Sequence, residues 1–177
     1  FVLWFTGLSA SGKSTLAGLL HAELSQSGFA CFVLDGDRLR SGLCSDLGFS
    51  AEDRAENLRR AGEVARLLVD AGLVGIAAFI SPYFADRARV RSRFRRNQFY
   101  EIFLDCPLEV CRQRDPKGLY RKAQEGSIPA FTGVSDPYEA PSAPDLVIRT
   151  GELTAQESLE VLRRFCLDRC LAQEGPQ

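Results

Sequence analysis

The sequence contains no methionine, only one histidine and only one tryptophan. The single histidine, His21, excludes the groups of imidazole ligands found in many zinc and iron sites. His21 lies within a helical apolar pattern, which favours a packing or surface role. The cysteines form no C-x-x-C pair, so we expect reduced and mostly buried thiols rather than a metal site. There are six of them: Cys31, Cys44, Cys106, Cys111, Cys166 and Cys170.

An excess of charge of either sign is also lacking, because 22 lysines and arginines are matched by 23 aspartates and glutamates, for a formal net charge of −1. This balance excludes an overall basic field that would attract nucleic acid or an anionic membrane surface. No apolar run approaches the length of a membrane span, and the apolar run at residues 1–5 is too short for a signal peptide. We therefore expect a soluble, cytoplasmic protein that binds neither nucleic acid nor membranes.

The length and composition suit one domain. Of the 177 residues, 45% are hydrophobic and 25% are charged, which is enough to fill and to cover a single core. We expect one α/β domain over residues 1–177. The chain starts directly on an apolar run and lacks methionine, which favours a domain cut from a longer or fused polypeptide.

A glycine-rich motif at residues 7–14, GLSASGKS, fits the P-loop pattern G-x-x-x-x-G-K-[ST]. It lies between a strand-like apolar run and a helical pattern, as a P-loop does. Its backbone N–H groups would surround a phosphate chain, Lys13 would reach the β- and γ-phosphates, and the Ser14 hydroxyl would bind Mg²⁺. The predicted ATP-binding residues are Gly7, Leu8, Ser9, Ala10, Ser11, Gly12, Lys13, Ser14 and Thr15.

Five apolar runs alternate with helical patterns, which is typical of a doubly wound parallel sheet. The predicted strands are residues 1–5, 30–34, 74–80, 100–104 and 146–148, and the first three are expected to be buried. The predicted helices are residues 14–27, 50–71 and 86–96, a short helix from Pro107, and a last helix from the capping box at Thr154 to about residue 171. The sequence therefore predicts a five-stranded parallel α/β sheet of the P-loop kinase type.

Two carboxylates, Asp35 and Asp37, follow the second predicted strand and flank Gly36. If the backbone stays extended there, both side chains point into the cleft at the carboxyl ends of the strands. One would hold Mg²⁺ and the other would accept a proton from the attacking hydroxyl, so Asp35 is a candidate metal ligand and Asp37 a candidate base. The alternative is an ordinary Asp-Gly turn without chemistry.

Arginines occur in two predicted helices. Arg54 and Asn57 are three residues apart, so both side chains lie on one face and could enter the same cleft, although a solvated charged face is equally compatible. Residues 86–96 hold six arginines and a single acid, Asp86. With Val90 and Phe94 on the apolar side, this run favours a surface helix with a basic outer face over an anion site.

Residues 115–144, the lid segment, contain three glycines and five prolines and show poor hydrophobic periodicity. A connection of this length is usually a lid or a binding loop. Its cations and aromatic residues suit phosphates and a flat base, and we expect it to contain no packed element. A mobile loop without chemistry is the alternative. The residues concerned are Lys117, Tyr120, Arg121, Lys122 and Phe131.

Together these motifs resemble one family, adenylylsulfate kinase (APS kinase), which uses ATP to phosphorylate the 3′-hydroxyl of adenylylsulfate in sulfate assimilation. The resemblance covers nearly the whole chain. It is carried by FTGLSASGKST, DGDRLR, GFSAEDRAENLRRAGEVA, FISPY, RDPKGLYRKA and FTGVSDPYEAP. It implies transfer of the γ-phosphoryl group to give 3′-phosphoadenylylsulfate and ADP.

The resemblance also implies roles for individual residues. Phe131 would stack on the adenine of adenylylsulfate, and Arg114 would border the base of ATP. In some family members the serine at the position of Ser81 is described as phosphorylated, although direct transfer needs no such intermediate. The implied contacts of adenylylsulfate are Asp37, Arg40, Phe49, Arg54, Asn57, Ile80, Ser81, Lys117, Lys122 and Phe131.

Further implications concern assembly and departures from the family pattern. A homodimer is implied, as is fusion or association with a sulfate adenylyltransferase. The family usually has glycine at the position of Ala10 and often asparagine at that of Arg38. Alternatives to this function are a P-loop kinase for another small metabolite and a nucleotide-dependent switch or silent kinase-like domain. The sequence lacks the N-K-x-D run of GTPases, and it retains Lys13, Ser14 and both aspartates, which argues against the second alternative.

Overall fold

The structure of the protein is a computed structural model that describes residues 1–128 and 130–171, with side chains up to residue 168. Pro129 of the lid segment and the side chain of Cys170 lie outside this description.

The strands form one parallel sheet of the predicted doubly wound type. The sheet has five strands in the order β2-β3-β1-β4-β5, and every neighbouring pair is parallel. All carboxyl ends therefore meet at one edge, where open α/β sheets bind ligands. The strands are β1 (Val2–Thr6), β2 (Cys31–Asp35), β3 (Val74–Ala78), β4 (Phe99–Asp105) and β5 (Leu146–Arg149).

Helices cover both faces of the sheet, and their ends carry the expected caps. Ser50 accepts a hydrogen bond from the backbone N–H of Asp53, and Thr154 and Glu157 form the predicted capping box. No helix within residues 1–128 and 130–171 is long and apolar enough to cross a membrane. The helices are α1 (Lys13–Gln26), α2 (Gly36–Arg40), α3 (Ala51–Asp70), α4 (Phe84–Arg91), α5 (Leu108–Arg114), α6 (Leu119–Gln124) and α7 (Ala155–Phe165), followed by a π-helical turn (Cys166–Leu171).

The central strand β1 supplies side chains to both cores. Leu3 and Phe5 pack beneath α1 and α7 on one face, whereas Trp4 lies in the second core beneath α3 on the other. The Trp4 ring stacks between Phe79 and Phe99, at centroid distances of 5.0 and 5.8 Å. Burial of β1 on both faces explains why its sequence reads as a continuous apolar run.

The structure corrects the prediction that the second strand is buried. β2 lies at the edge of the sheet, and Phe32 in its middle is 40% exposed. The edge position leaves one side of the strand without a neighbour, so an apolar composition does not guarantee burial.

The lid segment is more ordered than predicted. It contains the helix α6, and it buries Tyr120, Phe131 and Thr132. Tyr120 and Phe131 pack with Cys106 and Cys111 in a small apolar cluster, the lid cluster, to which Leu8 and Ala10 of the P-loop also contribute. The expectation of a segment without a packed element is therefore wrong. The few apolar side chains of the segment are far apart in sequence and show no periodic pattern, but they pack together against the P-loop.

The arginine-rich run also differs from the prediction. Its helix, α4, ends at Arg91, and Arg87 is only 2% exposed. Arg87 therefore does not belong to a basic outer face. Its guanidinium pairs with Glu101, which compensates the charge of a side chain that would otherwise be too costly to bury.

Candidate active site

The P-loop connects β1 to α1 at the carboxyl edge of the sheet. A Cβ atom at Gly7 would lie 2.8 Å from the carbonyl oxygen of Leu104, so only glycine fits there. Ala10 has a φ of 60°, in the left-handed region that favours glycine. This explains the glycine that the family usually has at this position, and alanine adopts the same conformation here at a cost in backbone strain.

Lys13 folds back onto the P-loop. Its Nζ donates hydrogen bonds to the carbonyl oxygens of Gly7 (2.9 Å) and Leu8 (2.6 Å) and lies 3.4 Å from the hydroxyl of Ser11. The side chain is 8% exposed, and burial lowers the pKa of Lys13 to about 8. The ammonium group is thus held at the loop that would surround a phosphate chain.

Ser14 and Asp35 bring the P-loop and β2 together. The Ser14 hydroxyl donates to Asp35 Oδ2 at 2.7 Å. The other carboxylate oxygen of Asp35 accepts from the backbone N–H groups of Asp37 (3.0 Å) and Arg38 (3.4 Å), and it thereby caps α2. The backbone is helical from Gly36 onward, so the two aspartates do not share an extended strand end as predicted. Capping by Asp35 favours the helical turn over the extended alternative.

The side chain of Asp37 contacts the lid segment, whereas that of Asp35 contacts Ser14. Its carboxylate forms an ion pair with Lys117, and this contact raises the pKa of the Lys117 amine. Both side chains are more than half exposed, so we expect the pair to contribute little to folding stability. The contact nevertheless places a lid cation against the candidate base.

Arg40 and Phe49 form one wall of the cleft. The Arg40 guanidinium lies 4.4 Å from the centroid of the Phe49 ring and donates to the carbonyl oxygen of Gly48 at 2.7 Å. The Phe49 side chain is 61% exposed, and a flat apolar ring open to solvent is available for stacking.

Arg54 holds the lid segment against α3. Its guanidinium donates to the hydroxyl of Thr132 at 2.6 Å and to the carbonyl oxygen of Ala130, and it pairs with Asp136 at 3.5 Å. It also donates to the carbonyl oxygen of Phe49 at 2.9 Å. The predicted acceptor-binding arginine therefore connects the Phe49 wall to the lid segment.

Asn57 lies one turn after Arg54 on the same helix. It is 5% exposed, and its Oδ1 has no hydrogen-bond partner among the residues that the structure describes. A buried acceptor without a donor costs about 1–3 kcal/mol, and a ligand that donates a hydrogen bond would remove this cost. The geometry is that of a residue prepared for a polar ligand.

Ser81 follows β3 and is 2% exposed. Its φ of 41° lies in the left-handed region. The Ser81 hydroxyl accepts a hydrogen bond from Trp4 Nε1 at 3.2 Å, and the preceding carbonyl, of Ile80, accepts from the Thr6 hydroxyl at 2.8 Å. A buried hydroxyl bound to an indole N–H has the environment of a structural residue rather than that of an activated nucleophile.

Phe131 lies in the lid cluster, where it is 8% exposed. Its ring packs edge-to-face on Tyr120 at a centroid distance of 5.0 Å. The Tyr120 hydroxyl donates to the carbonyl oxygen of Ser9 in the P-loop at 3.0 Å. Phe131 therefore sits above the P-loop in this structure, and its stacking on the acceptor's adenine stays a prediction.

Two other predicted residues lie near the start of the lid segment: Arg114 ends α5 just before it, and Lys122 lies on α6. Arg114 donates to the carbonyl oxygen of Thr150 at 2.6 Å and contacts the sulfur of Cys106 at 3.6 Å. The side chain of Lys122 is exposed on α6. The structure thus brings Lys117, Arg54 and Phe131 to the cleft region, whereas it leaves Lys122 on the surface.

Residues 136–139, near the end of the lid segment, make contacts that the sequence analysis did not predict. The Tyr83 hydroxyl donates to Asp136 at 2.9 Å, and the Tyr138 hydroxyl lies 2.9 Å from that of Thr6. Burial raises the pKa of Tyr138 to about 12. Glu139 accepts from the backbone N–H of Phe84 at 2.6 Å and so caps α4. The motif DPYEA was visible in the sequence, but its local pattern does not show which distant elements it contacts.

Known proteins resemble this chain over nearly its whole length. The adenylylsulphate kinase family matches residues 1–149. The adenylyl-sulfate kinase of Geotalea daltonii is 55% identical over 170 residues, which are 96% of this chain and 84% of that protein. The structure of the Mycobacterium tuberculosis APS kinase in complex with AMPPNP and APS matches with a TM-score of 0.82 at 47% identity, over 92% of this chain and 96% of that chain. A hexameric APS kinase from Thiobacillus denitrificans matches with a TM-score of 0.69 at 32% identity, over 94% of this chain and 28% of that chain. The chain belongs to the adenylylsulfate kinase family.

Proposed function

We propose that this protein transfers the γ-phosphoryl group of ATP to the 3′-hydroxyl of adenylylsulfate, giving 3′-phosphoadenylylsulfate and ADP. Membership of the adenylylsulfate kinase family supports this reaction. The observation that carries the proposal is the meeting of the Ser14–Asp35 contact with Asp37 and the lid at one edge of the sheet. The proposed donor-side and acceptor-side residues come together at that edge.

The P-loop is the proposed ATP site. Its backbone N–H groups and Lys13 would hold the β- and γ-phosphates, and the positive charge of Lys13 would offset the charge that spreads over the transferring group. Exchange of the carbonyl contacts of Lys13 for phosphate oxygens would free Gly7 and Leu8 to adjust to the ligand. Arg114 is proposed to border the ATP base.

Mg²⁺ fits the oxygen atoms of Ser14 and Asp35, which already lie 2.7 Å apart. Both are hard oxygen ligands, and Mg²⁺ in kinase sites needs only one or two protein ligands beside phosphates and waters. When bound, the ion would neutralise phosphate charge. Asp35 would keep its second oxygen on the end of α2 and thus hold Asp37 at a fixed position.

Asp37 is the proposed general base. Asp37 lies in the first turn of α2, and its carboxylate is exposed and pairs with Lys117, so an acceptor hydroxyl could replace or share that partner. A base within hydrogen-bond reach of the attacking hydroxyl would accept its proton as transfer proceeds. Lys117 would move from Asp37 toward the phosphates, and Lys122 would contribute when the lid segment closes further.

The acceptor would lie between Phe49 and the lid segment. Arg40, Arg54 and Asn57 are the proposed polar contacts, and the unpartnered Oδ1 of Asn57 supports its assignment. Ile80 and Ser81 would line the wall at the end of β3. Phe131 would stack on the adenine, which requires the ring to leave or share its contact with Tyr120.

The proposal is tested by measuring ADP release with adenylylsulfate as acceptor, in parallel with other nucleotide and sugar acceptors such as AMP and gluconate. We expect turnover with adenylylsulfate alone. Lys13→Ala should reduce that turnover by about a hundredfold or more without unfolding the protein, because it removes a charge that stabilises the transition state. Equal turnover with another acceptor, or an active Lys13→Ala variant, would refute the assignment.

The proposal also covers location and assembly. We propose that the protein acts in the cytoplasm, which the free thiols of Cys31, Cys44, Cys106 and Cys111 support. We also propose a homodimer and an association with a sulfate adenylyltransferase. Size-exclusion chromatography with light scattering, alone and with that partner, would test both assemblies.

A further inference from the structure

We infer that Arg87 is a positioning residue that ties the acceptor-side end of β3 to the end of the lid segment. The inference rests on the proposed transfer to adenylylsulfate, and it assigns a role to a side chain outside the P-loop and the DGD motif. Arg87 was expected on a basic surface, yet it is 2% exposed at the centre of three chain segments.

The guanidinium of Arg87 uses each of its nitrogen atoms on a different segment. Nε donates to Glu101 Oε1 on β4, Nη1 to the carbonyl oxygen of Ser81, and Nη2 to the carbonyl oxygen of Glu139, each at 2.7 Å. The side chain of Glu101 is 13% exposed, so the ion pair is largely shielded from water. The planar guanidinium places its donors on three separate nitrogens, whereas the three donors of lysine share one nitrogen and cannot reach acceptors that lie around a fork in this way.

The first backbone acceptor is a strained residue. Ser81 has a φ of 41°, which is unusual for a residue with a side chain, and its carbonyl oxygen also lies 3.4 Å from the Thr6 hydroxyl. Such a conformation persists only when neighbouring groups hold it. Arg87 supplies the shorter of these two contacts and therefore fixes the strand end that lines the proposed acceptor pocket.

The second backbone acceptor, the carbonyl oxygen of Glu139, lies near the end of the lid segment. Glu139 also donates its N–H to the carbonyl oxygen of Pro82 at 2.9 Å, and the neighbouring Tyr138 ring lies beneath the Arg87 guanidinium at 6.0 Å. Three residues upstream of Glu139, Asp136 contacts Tyr83 and Arg54. Arg87 thus holds the end of the lid segment at the same wall that carries Ser81.

The donor side is not attached to Arg87. Within the part of the chain that the structure describes, its side-chain hydrogen bonds go to Glu101, Ser81 and Glu139, and none goes to residues 7–14. Loss of these bonds should therefore weaken adenylylsulfate binding selectively. A residue that only stabilised the fold would not separate the two substrates in this way.

The test is Arg87→Lys, with Arg91→Lys as a matched control on the same helix. Arg91 also pairs with a carboxylate through two nitrogens, at 2.9 and 3.1 Å from Asp145, but its side chain is 43% exposed. We expect Arg87→Lys to raise the KM for adenylylsulfate about tenfold and the KM for ATP less than about threefold, since charged hydrogen bonds are lost on the acceptor side only. Limited proteolysis of the unliganded variant should cut residues 115–144 faster, while Arg91→Lys should match the wild type in both measurements.

An equal rise in both KM values, or a lower melting temperature with unchanged KM values and unchanged proteolysis, would overturn the inference. If Arg87→Lys does not fold, Glu101→Gln takes its place, because it keeps a hydrogen-bond acceptor for Arg87 and removes only the charge that pairs with the guanidinium. This variant should raise the KM for adenylylsulfate by about threefold and leave the KM for ATP unchanged. An unchanged KM for adenylylsulfate would count against the positioning role of Arg87. Absence of transfer by the wild type would refute the proposed function, whereas the proteolysis comparison needs no turnover.

Discussion

ATP binding should weaken as the pH rises above about 8, because Lys13 loses its charge there. Burial against the carbonyl oxygens of Gly7 and Leu8 lowers the pKa of Lys13 to about 8, and only the ammonium form can attract phosphate oxygens. At about pH 9 roughly a tenth of the unliganded protein carries this charge, compared with roughly nine-tenths at about pH 7, so the apparent Kd should rise about tenfold.

The measurement is isothermal titration calorimetry of a non-hydrolysable ATP analogue with Mg²⁺ at several pH values, in two buffers that differ in ionisation enthalpy. At about pH 9, binding should take up close to one proton, because the phosphates restore the charge of Lys13; at about pH 7 the uptake should be near zero. Lys117→Ala serves as the control, since the pKa of Lys117 is raised and its charge persists across this range. The variant should keep this pH dependence, displaced slightly toward higher pH, because the nearby Lys117 charge also lowers the pKa of Lys13.

Folding stability should respond to Lys13 in the opposite direction. The pKa of Lys13 is lowered from 10.5 in the unfolded chain to about 8 in the folded protein, so the unfolded chain binds more protons between these values. The contribution of Lys13 to the free energy of unfolding therefore increases as the pH rises through this window. Weaker ATP binding at about pH 9 would thus not stem from a Lys13-dependent loss of the fold. A Kd that is constant from about pH 7 to about pH 9.5, with no proton uptake, would refute the reasoning.

Two further predictions concern residues that the structure places differently from the sequence. Phe131→Ala should raise the KM for adenylylsulfate more than that for ATP, with the stacking contact worth about 1–3 kcal/mol. Because the ring is buried on Tyr120, the variant should also unfold at a lower temperature than the wild type. Steady-state kinetics with each substrate varied and thermal unfolding would decide both points, and a larger effect on ATP would contradict the acceptor role. Ser81→Ala should keep substantial turnover, because the hydroxyl is 2% exposed, accepts from Trp4, and is not needed for direct transfer. Rapid-quench detection of a phosphoserine that forms and decays at the catalytic rate would overturn this view.

The sequence predicted those parts of the site that depend on local spacing. The P-loop at Gly7 to Ser14, the caps at Ser50 and Thr154 and the order of strands and helices all follow from patterns within about twenty residues. The Ser14–Asp35 contact could be expected as well, since Ser14 lies in the first turn of the helix after β1 and Asp35 ends β2, so both lie at the carboxyl edge of the sheet. Local information alone was therefore enough to predict the fold class, and the structure confirms it.

Contacts between distant segments could not be predicted in this way. Arg87 lies in a run whose other arginines face outward, and its burial depends on carbonyl oxygens that lie up to 52 residues away in the chain. Asp37 looks like an extended strand end until the N-terminus of α2, capped by Asp35, makes that backbone helical. For Arg87 the deciding partners come from other parts of the chain, whereas the helical start at Asp37 depends on a local cap, Asp35, which the prediction of an extended strand end did not consider.

The position of Trp4 gives the protein an optical reporter without any label. Trp4 is the only tryptophan in the sequence, so the whole indole emission arises from one site. Its ring is fully buried and stacks on Phe79, and its N–H donates a hydrogen bond to the hydroxyl of Ser81, which follows β3 in the proposed acceptor site. A shift of that strand end during binding would alter the polarity and the hydrogen bond of the excited indole. Stopped-flow fluorescence of the unmodified enzyme can therefore time movements of the acceptor wall separately from the release of ADP.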